Sequence, residues 1–319
     1  MLTRRKFLAL SAGGLALTSL PASAQDIATI GGAAFGTYWR LSAANIFDGK
    51  QLTARFNQTI QAVDKLFSPY LANSTLCEFN RQASTNWIQV PPPLHRLVSA
   101  SLALAERSNG AFDPTIGPNV ARYGFGPITG RSGRYNEISL TPGKIRKARV
   151  GLTLDLCGIA KGYALDQLRA DLAAFGLTDY LLDLGGEVAA HGLHPSGRPW
   201  QVGVETPDAK GLAHIVALNG QSVATSGLGV QSYKPAGLTY GHIINPQTGA
   251  PMVGRTRSVS VMAEKATLAD GWATALMAMS EEEAIGVAER EGLDALFLLK
   301  EGDRLRPVFT GNFAQWVIA

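Results

Sequence analysis

The chain has 319 residues, 29 Lys+Arg against 25 Asp+Glu, and 46% hydrophobic residues, enough for a large core. Three of the basic residues, Arg4, Arg5 and Lys6, and none of the acidic ones fall in residues 1–24, so the remainder is close to neutral. It carries no basic run or aromatic-basic stripe, so nucleic-acid binding finds no support. The two cysteines, Cys77 and Cys157, allow one disulfide at most.

In chain order, residues 1–24 read as an export signal. Arg4, Arg5 and Lys6 precede an apolar run from Phe7 to Leu20, and Ala22-Ser23-Ala24 supplies small residues for cleavage. The run is too short and interrupted for a convincing membrane span. The twin arginine followed by Lys-Phe-Leu has the pattern of a Tat signal, which predicts a periplasmic protein without a stable membrane anchor after cleavage. Residues 25–319 then form the mature chain, with no long linker or repeat.

Leu52, Phe56, Ile60, Val63 and Phe67 predict a helix from about 50 to 67. Leu94, Leu97, Val98 and Leu102 predict another, closed by Gly110. Residues 153–156 alternate as a short strand. They run through Gly158 into a helix over 159–175, whose Ala160, Ala164, Leu168 and Leu172 recur every four residues. YLLDL at 180–184, WQVGVE, HIVALN, QSVAT, RSVSVMA, DALFLLK, RLRPVF and FAQWVIA read as strands, and ATLADGWATALMAM as a helix. Asn219-Gly220 predicts a hairpin between HIVALN and QSVAT. Helices interspersed with hairpins give an α+β fold with mixed, largely antiparallel sheets and packed helices.

The common nucleotide and zinc signatures are missing: there is no G-x-G-x-x-G, no G-x-x-x-x-G-K-[ST] and no H-E-x-x-H. His191 and His194 are spaced like ligands but sit in a Gly/Pro/Ser loop, which favours a loop coincidence. Four other segments carry chemistry. TLDLCGIAKGYALDQL, residues 153–168, sets Asp155, Cys157 and Lys161 at a predicted helix start, where unpaired N–H groups and a partial positive charge suit a phosphate. A glycine turn beside a solvated lysine fits the same letters. GAFDPTIGP, residues 110–118, holds Asp113 in a stiff loop. YGHIINPQTGAP, residues 240–251, sets His242 before a turn. VATSGLGVQSY, residues 223–233, ends a strand in small residues that let a ligand approach the backbone.

Asp270 and Thr274 are four apart on a predicted helix, so their oxygens share one face. A carboxylate and a hydroxyl so placed suit Mg²⁺, which prefers oxygen ligands and bridges phosphates. A helix cap or a local hydrogen bond is the alternative.

Taken together, these segments resemble the FAD:protein FMN transferases, the ApbE family. The matching stretches are FGTYW at 35–39, FSPYLANSTLCEFN at 67–80, GAFDPTIGP, LDLCGIAKGYALD, LLDLGGE, VATSG, HIINPQTGAP and LADGWATAL, in family order. The resemblance implies an ApbE-like flavin transferase fold over residues 25–319, monomeric or loosely associated. It implies Mg²⁺-dependent transfer of FMN from FAD to a threonine or serine of an acceptor redox protein, with release of AMP. It assigns Asp155 and Lys161 to FAD, and Gly158, Asp270 and Thr274 to Mg²⁺. Phe35, Tyr70, Ala111, Phe112, Asp113, Ile243 and Ile244 would flank the flavin and adenine parts, with His242 and Lys161 catalytic. An FAD diphosphatase giving FMN and AMP would share every one of these site residues; a non-catalytic flavin-binding protein is the other alternative, though it would not need Asp270, Thr274, Lys161 and His242 together.

Overall fold

The computed structural model describes residues 26–44, 47–208, 210–228, 232–233 and 240–319, with backbone alone at 232–233 and 240–241. Residues 1–24, expected to be an export signal, lie outside the described residues, as do residues 229–231 of the glycine-rich segment.

The described chain opens with a hairpin, β1 (Ile27–Ala34) and β2 (Thr37–Ala44), whose two-residue turn places Phe35 at φ 49° and Gly36 at φ 74°. Two consecutive positive φ values follow the right-handed twist of the strands. α1 (Gly49–Phe67) is capped by Asp48, whose carboxylate accepts from Lys50 N and Gln51 N, and it buries Leu52, Phe56, Ile60, Val63 and Phe67. Short α2 (Thr75–Arg81) and β3 (Ile88–Gln89) lead to α3 (Pro92–Arg107). Gly110 closes α3, with φ 78° and its N–H on Ala105 O at 2.7 Å. α4 (Gly117–Arg122), β4 (Ile138–Thr141) and β5 (Lys144–Lys147) precede α5 (Cys157–Ala174).

β6 (Tyr180–Leu184), β7 (Glu187–His191), β8 (Trp200–Glu205), β9 (Leu212–Leu218) and β10 (Ser222–Gly227) follow. After the short β11 (Ser232–Tyr233), β12 (Tyr240–Gly241), β13 (Ile244–Asn245) and β14 (Ala250–Pro251), the chain forms β15 (Thr256–Ala263), α6 (Ala266–Met277) and α7 (Glu281–Arg290). It then forms β16 (Asp294–Glu301) and β17 (Arg304–Thr310).

Eight strands make one sheet in the order β1-β2-β6-β7-β10-β15-β16-β17, antiparallel at every pairing. Alternation along its strands feeds two cores. On β16, Ala295, Phe297 and Leu299 enter the large core that the helices cover. Leu296 and Leu298 enter a smaller one with Trp200, Val202, Val216 and Phe313, beneath the β8–β9 hairpin. The expected largely antiparallel α+β fold is therefore present.

Three local expectations fail. Asn219-Gly220 does not close a hairpin: β9 pairs with β8, while β10 lies between β7 and β15. The turn carries the chain from one sheet to the other, with Gly220 N and Ala190 O bonded at 2.9 Å. FAQWVIA is not a strand. Residues Phe313–Trp316 form a 3₁₀ turn because Phe313 is drawn fully into the smaller core. Residues 153–156 form no strand, and a side chain takes the place of a strand partner: Asn80 Nδ2 donates to Leu154 O at 2.8 Å and Leu154 N donates to Asn80 Oδ1 at 2.7 Å.

Candidate active site

The clamp on Leu154 fixes the approach to α5. One residue on, Asp155 N donates to Pro114 O at 2.6 Å, which lays the GAFDPTIGP loop along this segment. Asp155 Oδ1 accepts Cys157 N at 2.9 Å. Burial nevertheless raises the Asp155 carboxyl above its ordinary range, against that donor. Both cysteines are free, and Cys77 Sγ lies 3.5 Å from Ser68 O and Pro69 O.

α5 and α6 then cross at glycines. A Cβ on Gly162 would stand 2.3 Å from Ala266 O and 2.7 Å from Asp270 Cβ, so only glycine admits α6 this close. In that contact Gly162 N donates to Asp270 Oδ2 at 2.8 Å. Asp166, one turn along α5, caps α6 from outside: its carboxylate accepts Ala266 N at 2.9 Å, Thr267 N at 3.0 Å and Thr267 Oγ1 at 2.6 Å. These bonds fix the register of α6 and set Thr274 Oγ1 on Gly158 O at 3.2 Å, with Ser226 Oγ 3.4 Å from the same hydroxyl. Asp270 is buried, and burial first, then the Glu187 carboxylate, raise its pKa, with Lys161 and the Gly162 N–H opposing.

Lys161, on α5, reaches β7. Its Nζ donates to Glu187 Oε1 at 2.6 Å. Burial disfavours this ammonium, but Glu187 and then Asp270 outweigh it and raise its pKa. Glu187 follows the Gly185-Gly186 turn, where both residues have positive φ and Gly186 N donates to Asp183 Oδ1 at 3.0 Å. Asp183 Oδ2 also takes Tyr38 Oη at 3.0 Å and Arg40 at 3.2 Å, tying the turn to β2.

The structure therefore gathers Asp155, Gly158, Lys161, Asp270 and Thr274 at the α5–α6 crossing. The Phe112 ring joins them, 3.2 Å from where a Cβ on Gly158 would sit. Ala111 is buried beside it. Asp113 is engaged within its own loop: Oδ1 accepts Thr115 N and Oγ1, and Oδ2 accepts Tyr135 N at 3.0 Å. Burial raises its pKa against those donors. Tyr70 is largely exposed, yet partial burial first, then Cys157 and Asp155, raise its phenol above the ordinary value.

Phe35 stands apart at the β1–β2 turn. It lines a cavity of about 300 Å³ with Ala34, Thr37, Ile60, Gln61 and Asp64. Thr37 links it to the site, since a Cβ on Gly185 would meet Thr37 Cγ2 at 2.5 Å. His242 lies edge-on to Phe125, ring centroids 6.3 Å apart, beyond α4. Ile243 and Ile244 are buried, and Met252 N donates to Ile243 O. Another cavity, about 490 Å³ beside Arg255 and Glu281, contains none of these residues.

Sequence reasoning did not single out Glu187, Asp166 or Asn80. The signal for Glu187 was an acid directly after Gly-Gly at the end of a buried strand. His191 is the last residue of β7 and not a loop residue as expected; its Nδ1 bonds with Thr178 O, while His194 Nδ1 bonds with Ser196 Oγ in the following loop.

Chemically, the crossing offers a carboxylate, a hydroxyl, a backbone carbonyl and an ammonium around a helix start, a set suited to a phosphate and a hard cation. No group of three His, Cys, Asp or Glu residues among the described residues could hold a metal.

The ApbE family profile matches residues 35–297. The FAD:protein FMN transferase of Klebsiella pneumoniae (strain 342) is 31% identical, with 93% of this chain and 92% of that protein covered. That of Escherichia coli (strain K12) is 30% identical, covering 93% and 91%. The flavin transferase ApbE from Vibrio cholerae superposes with a TM-score of 0.83 at 29% identity, over 91% of this chain and 99% of that one. The apo flavinyl transferase ApbE of Pseudomonas stutzeri gives 0.82 at 28% identity, over 92% and 98%. By sequence and by fold, the chain belongs to the ApbE family.

Proposed function

We propose that the chain is a Mg²⁺-dependent FAD:protein FMN transferase. It moves FMN from FAD onto a threonine or serine hydroxyl of an acceptor protein and releases AMP. The named activity of its relatives supports the reaction class. The observation that carries the site assignment is the approach of Thr274 Oγ1 to Gly158 O at 3.2 Å, with Asp270 one turn away on α6.

The donor set fits Mg²⁺. All three groups offer oxygen, and Asp270 keeps Oδ1 without a hydrogen bond among the described residues while Oδ2 is on Gly162 N. Gly158, Asp270 and Thr274 would hold the ion. Bound there, it would neutralise diphosphate charge and polarise the phosphorus.

The other roles belong to the protein. Asp155, Lys161 and the first turn of α5 bind the diphosphate, and the Lys161 ammonium meets the charge that develops on the AMP side. Phe35, Tyr70, Ala111, Phe112, Asp113, Ile243 and Ile244 contribute the walls of the flavin and adenine site. His242 takes the proton of the incoming hydroxyl as its oxygen bonds to the FMN-side phosphorus and the bond to the AMP phosphate breaks. The mature chain works in the periplasm after export through the Tat-type signal read in residues 1–24, and its acceptor is a redox protein of that compartment.

The test is incubation of the mature protein with FAD, Mg²⁺ and a candidate acceptor, followed by mass measurement of the acceptor. A gain of one FMN with equimolar AMP supports the reading. AMP release at the same rate without acceptor makes the chain a hydrolase and overturns it. Replacing Arg4 and Arg5 with lysine tests export, and undiminished periplasmic accumulation would remove the Tat assignment.

A further inference from the structure

Glu187 is 4% exposed, yet only one of its oxygens is used. Oε1 accepts Lys161 Nζ at 2.6 Å, while Oε2 is buried without a hydrogen-bond partner. A buried oxygen left without a hydrogen bond is costly, and what the carboxylate gains in return is its ion pair with Lys161.

Two acids compete for that lysine. Asp270 interacts with Lys161, but no ion pair joins them within 4.0 Å; the pair formed is with Glu187. The backbone makes this choice. Asp183 accepts Gly186 N at 3.0 Å, Thr37 packs on Gly185, and the turn they hold delivers Glu187 to the face of α5 that carries Lys161. Asp270 is meanwhile oriented by Gly162 N.

We propose that Glu187 is a positioning residue that pins the Lys161 ammonium away from Asp270, leaving the Asp270 carboxylate to a divalent cation and Lys161 to the diphosphate. This rests on the metal assignment above. Without Glu187, the nearest compensation for Lys161 is Asp270, and the ammonium then competes with the cation for one carboxylate.

The experiment titrates Mg²⁺ alone into the mature protein and follows the thermal unfolding midpoint, with FAD affinity by flavin fluorescence in parallel. Four proteins are compared: wild type, Glu187→Met, Glu187→Asp, and Glu187→Met combined with Lys161→Met. Glu187→Met is expected to raise the half-saturating Mg²⁺ concentration roughly tenfold, the effect of an opposite charge newly within reach of Asp270. Glu187→Asp keeps the charge but loses reach, and is expected to weaken Mg²⁺ binding in the same direction. Adding Lys161→Met to Glu187→Met removes the competitor and is expected to restore Mg²⁺ binding, a rescue that a merely structural role would not give.

Wild-type Mg²⁺ affinity in Glu187→Asp overturns the proposal, because charge alone would then suffice; so does a double variant no better than Glu187→Met. If Glu187→Met does not fold, Glu187→Asp decides by itself. A wild-type protein with no Mg²⁺ response removes the metal assignment and this proposal with it. A responsive wild type beside an unchanged Glu187→Asp removes this proposal only.

Discussion

Asn80 and Leu154 pair as neighbouring strands do, except that one partner is a side chain: the Asn80 amide both donates to and accepts from the Leu154 backbone, at 2.8 and 2.7 Å. The consequence is positional. Leu154 is fully buried, Asp155 comes next, and α5 starts two residues later. Asn80→Leu leaves both Leu154 groups unsatisfied in the core, at about 1–3 kcal/mol for each. Asn80→Asp still accepts from Leu154 N but sets an oxygen against Leu154 O. The expected result is a lower unfolding midpoint in both variants and weaker FAD binding, because Asp155 loses its anchor. Fluorescence titration beside thermal unfolding checks this, and unchanged FAD affinity in a folded Asn80→Leu would detach the clamp from the site.

The α5–α6 crossing supplies a sharper contrast between two glycines. Gly162→Ala drives a methyl into Ala266 O and Asp270 Cβ. Overpacking of that kind costs about 1–3 kcal/mol and shifts α6, so activity is expected to fall with stability. Gly286 lies in α7 with nothing within 4 Å of an added Cβ. Gly286→Ala is expected to stabilise by about 0.5–1 kcal/mol through backbone entropy and to leave transfer unchanged. Denaturant unfolding and a transfer assay on both variants decide the matter. Full activity in Gly162→Ala would mean the helices are not held at this distance for the chemistry.

How far the sequence discloses this molecule depends on whether the signal is local. Leu52 to Phe67 and Trp200 to Glu205 are legible because one periodicity matches one buried face, and Tyr180 to Leu184 because a short apolar run is buried nearly throughout. The pairing of β9 is not, since Asn219-Gly220 has hairpin letters whichever sheet receives the next strand. α7 is hard to read from sequence because Ser280 and three glutamates at its start outweigh its few apolar positions, although Ser280 accepts Glu283 N as an N-cap should. In the site, Asp270 and Thr274 are readable as a helix face. Glu187 and Asn80 are not, because their partners lie 26 and 74 residues away and only the fold brings them together.

Lys147 gives a pH prediction. It is fully buried, and its Nζ donates to Phe79 O, Asn80 O and Gln82 O at 3.2, 3.3 and 2.6 Å. Burial lowers its pKa from the ordinary lysine value. With the folded value below the unfolded one, the unfolded chain holds more protons across the window between them, so stability rises with pH there. This contribution is complete above the unfolded pKa and is lost as pH falls through the folded one. Denaturant unfolding of wild type and Lys147→Met across the alkaline range tests it. The wild type is expected to gain on the variant as pH climbs toward the unfolded lysine value, and parallel curves would mean the ammonium is not penalised by its site.

The last prediction separates binding from chemistry at the two residues assigned to catalysis. Lys161 faces the α5–α6 crossing, where the diphosphate is proposed to sit, and that group is charged before and during the reaction. Lys161→Met is therefore expected to weaken FAD binding and slow transfer together. His242 stands instead beside Phe125, beyond α4, and its proposed partner is the incoming hydroxyl. His242→Ala is expected to bind FAD normally and to lose roughly 10²- to 10⁴-fold in transfer, the usual contribution of a general base. Flavin fluorescence and single-turnover transfer to the acceptor supply the two readouts. If His242→Ala loses FAD affinity but transfers normally at saturating FAD, His242 is a wall of the flavin site and the base lies elsewhere. Asp113 is then a poor replacement, since Thr115 and Tyr135 already occupy its carboxylate. The search would turn to Asp155, whose Oδ1 has a single backbone donor and which lies next to the proposed diphosphate.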